Sequence, residues 1–364
     1  MKIKSIITLF EEAAPSALKE TYDNVGLLIG NPDEDVRSAL ICLDVTEEVM
    51  DEALKHGCDL IISHHPLIFG GLKKITGANA VERLVIRAIR DKIAVYAVHT
   101  NLDNVWNGVN AMLCRQLGLR NTGILQALEG KLNKLVTFCP DGHADQVRKA
   151  LFDAGGGHIG NYDSCSYNLE GFGTFRGGEN TNPFVGERGK LHRENEMRIE
   201  VIFPEYLRSK LLSALRHSHP YEEVAFDIYP LMNAYEQAGA GMIGMFDQEM
   251  GEEEFLLHIK NILGTGVIRH SALTGRQISR VAVCGGSGDF LIGRAMAAGA
   301  DAYITADVKY HQFFEADGRM LIADAGHYET EQFTKELLYN VLNEKFPTFA
   351  LRISHSNTNA VHYF

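Results

Sequence analysis

"LIISHHPLIFGG", residues 60–71, opens with an unbroken apolar run and ends it on two adjacent histidines, a proline and a glycine pair. A strand without polar alternation belongs to a sheet covered on both faces. Pro66 holds His65 extended and removes a ladder donor, so the strand stops there. Upstream, "SALICLDV" (38–45) reads as another strand. It is followed by the helix "TEEVMDEALKHG" (46–57), begun at Thr46 or Asp44 and stopped by Gly57. Downstream, "AVERLVIRAIRD" (80–91) sets Val81, Leu84, Val85, Ala88 and Ile89 on one helical face. "KIAVYAVHTNLDN" (92–104) is a strand running into a polar loop, and "VNAMLCRQLGL" (109–119) a further helix. Buried strands separated by amphipathic helices predict an α/β fold with sheets covered by helices.

The same grammar resumes near the end. "EEEFLLHIKNILG" (252–264) is helical, "RVAVC" (280–284) a strand, and "GGSG" (285–288) a turn into another helix. "DAYIT" (301–305) and "MLIADAG" (320–326) are strands flanking an expected helix, "VKYHQFFEAD" (308–317); a long helix is expected from about Tyr328 to Lys345. Residues 128–232 differ. Their order β-α-β-β-α-β is the ferredoxin-like split unit, which completes its own sheet and can sit as an insertion. The chain therefore divides into 1–127 and 233–364, two parts of one α/β domain, and the insert 128–232. Within the insert, "GGENTNPFVGERG" (177–189) has no periodicity and reads as a mobile loop.

With 364 residues, 45% of them hydrophobic, the chain buries one large core or two ordinary ones. A formal charge of -12 argues against direct nucleic-acid binding, which needs a basic face. No apolar run approaches the roughly 20 residues of a membrane span. The six cysteines form no CxxC pair, which excludes the usual zinc-finger pattern and fits reduced thiols. The expectation is a soluble, cytoplasmic protein.

Histidines and acids gather where strands end. His64 and His65 close one strand, His99 and Asp103 follow the next, and His327 and Glu331 stand four apart at a helix start. Carboxyl ends of strands are where open α/β folds bind ligands. Imidazole and carboxylate without thiolate suit zinc, iron, manganese or cobalt, and a pair of ions about 3.5–4 Å apart would activate water. Each pair also has a local reading: a helix-start hydrogen bond for His327 and Glu331, a loop hydrogen bond for His99 and Asp103. "GGSG" could cradle a phosphate, but it lacks a P-loop lysine, and a tight turn fits as well. Asp307 and His311, four apart past a strand, could orient ligands or touch substrate. Asp23 and Asn24 read as a turn cap, and His217 and His219 as surface or interface residues of the insert.

Together, "YDNVGLLIG" (22–30), "SHHPLIF" (63–69), "VHTNLDN" (98–104), "HPYEEVAFDIYPL" (219–231), "GGSG", "GADAYITADVKYH" (299–311) and "DAGHYETE" (324–331) resemble the NIF-three-like family, the NGG-one-interacting factor three group. The likeness runs on to the terminal "SNTNAVHYF" and covers essentially the whole chain. Members are labelled GTP cyclohydrolase 1 type 2 homologues. The resemblance implies a two-metal site with His64, His65, Asp103, His327 and Glu331 as ligands, and this sequence departs at none of them. It also implies a toroidal homohexamer and, for the insert, the PII/CutA-like unit of longer bacterial members.

Two functions of different class follow. One is a dinuclear metal-dependent hydrolase acting on a nucleotide-like substrate such as GTP, with His99 or His311 as proton carrier or anion contact. The other is a non-catalytic metal-binding regulatory or scaffold protein whose insert senses a metabolite or partner. Transcriptional binding, suggested by the family's name, fits poorly with the acidic charge.

Overall fold

The computed structural model describes residues 1–364 and separates into two compact units, Met1–Gln126 with Ala238–Phe364, and Ala127–Gln237. In the first unit, one sheet runs Gly26–Ile29, Ala94–Ala97, Leu60–Ser63, Ser38–Cys42 and Ala350–Ile353. All its strands are parallel except the Gly26–Ile29 edge. The covered-sheet expectation is met residue by residue. Leu60 and Ile62 pack with Phe10 and Leu338 on one face, whereas Ile61 packs with Met50 and Val85 on the other. All three are 0% exposed, and each such burial contributes roughly 1.5–3 kcal/mol. Thr46 caps the helix Glu47–His56, its Oγ1 accepting from Val49 N at 3.3 Å, and Gly57 ends it at φ 65°. On the helix Ala80–Asp91, Leu84, Val85 and Ala88 are buried; Ile89, expected on the same face, is exposed.

The second sheet of this unit runs Arg269–His270, Leu321–Asp324, Ala302–Ala306, Gln277–Ser287, Tyr235–Gly251 and Arg120–Leu128. Its three central strands are parallel. The long strand Tyr235–Gly251 was not legible, because "YEQAGAGMIGMFDQEMG" scatters glycine through its apolar positions and weakens the strand pattern. The expected helix 328–345 is divided into His327–Glu331 and Thr334–Lys345, with Phe333 packed against the cores of both sheets. The expected helix 308–317 is a 3₁₀ segment, Tyr310–Ala316. No helix is long and apolar enough to cross a membrane, and all six cysteines are free thiols.

The second unit forms one antiparallel sheet in the order Tyr167–Arg176, Leu191–Pro204, Leu132–Pro140, Phe226–Pro230. The helices Ala144–Asp153 and Arg208–Ser218 fall between strands in the expected β-α-β-β-α-β sequence, so the topology is the ferredoxin-like split unit. Val147, Leu151, Leu211 and Leu215 cover one sheet face against Leu135, Ile199, Val201 and Phe203. His217 is exposed as expected, but His219 is buried. Its Nε2 bonds Phe138 O at 2.9 Å and its Nδ1 accepts from Tyr221 N at 3.1 Å, so it anchors the turn that places Tyr221.

Candidate metal centre

The carboxyl ends of the parallel strands of both sheets meet over one cavity of about 680 Å³ in the first unit. His64 and His65 follow Leu60–Ser63, His99 follows Ala94–Ala97, and His327 follows Leu321–Asp324. Backbone bonds from His64 N to Cys42 O and His65 N to Leu43 O hold the histidine pair against the neighbouring strand. Consecutive strand residues point to opposite sides. The proline-terminated end relaxes that alternation and brings the two ring centroids to 4.9 Å, with His65 lining the cavity and His64 fully buried beside it.

Each of the four imidazoles has its Nδ1 fixed by an acceptor. The distances are 2.8 Å from His64 to Val98 O, 2.7 Å from His65 to Asp44 Oδ1, 2.9 Å from His99 to Asp23 Oδ1 and 2.7 Å from His327 to Asp307 Oδ2. This pins the proton on Nδ1 and leaves Nε2 as a lone-pair donor, the arrangement in which histidines serve metals. Ligand atoms of His64, His65 and His99 lie within 4.8 Å of one another, as do those of His65, His327 and Glu331. Asp103 Oδ1 stands 3.6 Å from His64 Nε2, too far for a hydrogen bond.

Electrostatics confirm an unmet demand for positive charge. Burial raises the Asp103 carboxyl, and the neighbouring Glu331 raises it further. Burial would raise Glu331 too, but the facing imidazoles of His327, His64 and His65 hold it ionised. His64 is lowered by complete burial and stays neutral. Burial opposes protonation of His65 and His327, yet Asp44 and Glu331 raise the first to about 9, and Asp307 and Glu331 raise the second to about 11. Their Nε2 atoms are only 3.3 Å apart, so protons at both would repel; a bound cation satisfies the same carboxylates without that clash. Buried His64 Nε2, Asp103 Oδ1 and Glu331 Oε2 make no hydrogen bond. Glu331 Oε2 sits 3.0 and 3.1 Å from the His65 and His327 Nε2 atoms, close enough to pair but out of alignment. Each orphan normally costs ~1–3 kcal/mol. The donor set fits divalent metal.

The five expected ligands are therefore brought together, and His99 stands with them. His311 is not: it is exposed on the 3₁₀ segment, its ring against Tyr310 and Phe314, and it does not line the cavity. The four-residue spacing to Asp307 misled because Asp307 lies outside that segment at φ 57°, a left-handed conformation that turns it to His327. Asp23, read as a turn cap, is a buried acceptor for His99 and for Thr100 N. The "GGSG" segment is neither the expected turn nor a phosphate cradle: Gly285 to Ser287 belong to the strand Gln277–Ser287, whose register shifts between Val283 and Ser287. Gly285 N is spent on Asn110 Oδ1 and Gly286 N on Thr330 Oγ1. Its glycines instead leave room for Glu331, since a Cβ at Gly286 would collide with Glu331 Oε1.

The C-terminal segment was not read as part of the site at all. Thr358 Oγ1 donates to Asp44 Oδ2 at 2.7 Å, behind His65, and Asn359 to Glu329 Oε1 at 3.0 Å. Upstream, Glu52 accepts from Ser354 Oγ, His355 N and Ser356 Oγ. Burial would raise Glu52, but these bonds lower it from 4.5 to about 2. A depressed carboxyl stabilises above its unfolded value and loses that contribution as pH falls through its folded one. The protection of the His355 and Ser356 amides, taken relative to their intrinsic exchange rates, is therefore expected to fall as pH drops from 4.5 to about 2 and to be steady above it. Asp44→Asn is expected to weaken metal binding roughly 10–100-fold in a competition titration, by loosening the His65 tautomer.

With this geometry in place, likeness to known proteins is informative. Residues 1–360 match the family model Duf34/NIF3 (NGG1p interacting factor 3). The chain belongs to the Duf34/NIF3 family. A family relative from Halalkalibacterium halodurans, named GTP cyclohydrolase 1 type 2 homolog, is 41% identical over 94% of this chain and 93% of its own length. One of the same name from Bacillus subtilis is 38% identical over 98% and 97%. Among solved structures, a Bacillus cereus protein related to NIF3 superposes with a TM-score of 0.87 at 40% identity, covering 100% of this chain and 99% of that one. Staphylococcus aureus protein SA1388 gives 0.79 at 31%, with the same coverage.

Proposed function

We propose that this cleft holds two divalent metal ions and hydrolyses a nucleotide-like substrate. One observation carries the reading: four imidazoles with their Nδ1 atoms fixed converge on buried carboxylate oxygens that make no hydrogen bond. His64, His65, Asp103, His327 and Glu331 would hold the ions, which when bound supply Lewis acidity and acidify water. His99, steadied by Asp23, stands 5.2 Å ring to ring from His64 and is placed to move a proton. At the cavity wall, exposed Tyr22 and Phe69, ring centroids 6.2 Å apart, offer apolar faces to a planar base. Arg269 is the one arginine or lysine lining the cleft and offers a contact for an anionic group. The relatives' printed name makes GTP the first substrate to try.

The test is metal content per chain together with formate release from GTP by metal-loaded protein, compared with folded His64→Ala. Turnover lost in that variant supports the reading; a loaded protein that turns over no nucleotide or phosphoester sinks it. A second reading, a regulatory metal protein with a sensing PII/CutA-like unit, is favoured by the separate cavity in Ala127–Gln237. Chelation discriminates: melting on metal removal supports a structural role, an intact fold supports catalysis. Self-association as a homohexamer belongs to both readings and is measured by light scattering.

A further inference from the structure

The unit Ala127–Gln237 carries a cavity of about 700 Å³ on the sheet face opposite its helices, unrelated to any metal ligand. Its floor is Glu196, a carboxylate only 9% exposed. Register puts Glu196 opposite Gly171 in the neighbouring strand, and a Cβ at Gly173 would collide with its Oε2. Glycine inside a strand weakens it and marks close approach by another group. Here the space is taken by the carboxylate. Glu196 Oε1 accepts from Tyr221 O–H at 2.8 Å, and no lysine, arginine or histidine pairs with either oxygen. Burial and that bond push the Tyr221 phenol up, so it stays a donor. Arg198, two residues along the same strand and also lining the cavity, pairs through one terminal nitrogen with Glu200, which also binds Lys134, and its Nε makes no hydrogen bond.

Aromatic rings surround this unpaired charge. Phe175 and Phe184 stand with centroids 6.2 and 6.3 Å from Tyr221, and Phe138 lines the same cavity. Phe184 comes from the loop 177–189, so the segment without periodicity supplies a wall. Phe172 is spoken for: the Arg193 guanidinium lies 3.7 Å over its ring. A buried carboxylate is costly without a counter-charge, and aromatic faces attract cations through their quadrupoles. Both demands are met by one kind of guest. We propose that this cavity binds a small organic ammonium cation, with Glu196 as counter-charge and Phe175, Phe184 and Tyr221 as its walls.

The same chemistry could come from a free amine or from a lysine of a second copy, and the experiment separates them. Full-length protein is titrated calorimetrically with phenethylammonium, tetramethylammonium and phenylacetate. Saturable binding of both cations without phenylacetate binding is the expected result. Glu196→Gln should weaken both at least about tenfold, because a charge-assisted contact is lost. Phe184→Ala, at an exposed loop position that cannot unfold the sheet, should weaken them several-fold through the lost ring face. Glu205→Gln should leave affinity unchanged, since Glu205 is exposed and does not line the cavity. The proposal is overturned by absence of cation binding, by equal binding of phenylacetate, or by affinities that Glu196→Gln and Phe184→Ala leave alone. It is equally overturned if sedimentation shows self-association that Glu196→Gln abolishes, which would assign the cavity to a neighbouring chain's lysine.

Discussion

Glu331→Gln is expected to remove most metal binding while the chain still folds. Glu331 is 3% exposed and is the one carboxylate that faces three imidazoles, at 3.8, 3.0 and 3.1 Å from the Nε2 atoms of His64, His65 and His327. An amide keeps the shape but supplies neither the charge nor a second acceptor. Affinity should fall by more than the roughly 10–100-fold that losing an outer hydrogen-bond partner costs. The metal-free protein should also lose stability, approaching the ~3–5 kcal/mol typical when one member of a buried ionic group is deleted. Its carboxylate helps hold His65 near 9 and His327 near 11 against the opposing effect of burial. Without it both rings shed protons at lower pH, so the destabilisation of the apo form should be larger at neutral pH than above pH 11. Elemental analysis and melting curves in chelator read the two effects separately. Wild-type metal content in Glu331→Gln would take Glu331 out of the ligand set.

The clustering of candidate ligands was readable because strand ends announce themselves. An apolar run stopped by His-His-Pro, and another stopped by His99, place side chains at a sheet's carboxyl edge whatever the tertiary detail. Helical spacing put His327 and Glu331 on one face but left a local hydrogen bond open, and only the family resemblance joined them to the other three residues. What stayed hidden were groups whose roles depend on contacts distant in sequence. Asp23 meets His99 across 76 positions, and Thr358 meets Asp44 across 314; no local pattern encodes either. The strand Ala350–Ile353 is hidden for the same reason, since it pairs in parallel with Ser38–Cys42 from the far end of the chain. His311 shows the converse failure. Periodicity assigned it a face together with Asp307, but a single left-handed residue breaks the helical frame on which that inference rests. The aromatic cavity of the second unit was invisible because its rings come from two strands, a turn and an irregular loop.

Gly286→Ala is expected to damage the centre from outside the ligand set. Two independent penalties act at this position. Its φ of +63° is left-handed, which costs an L side chain about 1–2 kcal/mol. The added Cβ also lands against Glu331 Oε1, with His327 Cε1 at 3.2 Å, so relief requires the carboxylate or the ring to move. Glu331 is enclosed and tied to three histidines, and moving it spreads the disturbance through the cluster. Metal affinity should fall together with stability. Gly285→Ala separates this from a general intolerance of the irregular strand end. That glycine lacks a left-handed φ, and its Cβ would meet Val109 Cγ1 at 3.2 Å and Glu331 Cγ at 3.4 Å, contacts that a shift of a few tenths of an ångström relieves. A melting-temperature loss several-fold larger for Gly286→Ala, accompanied by metal loss that Gly285→Ala does not share, is the expected pattern. Equal behaviour of the two would mean that the glycines only shape the strand end, and that Glu331 reaches its position without needing the gap.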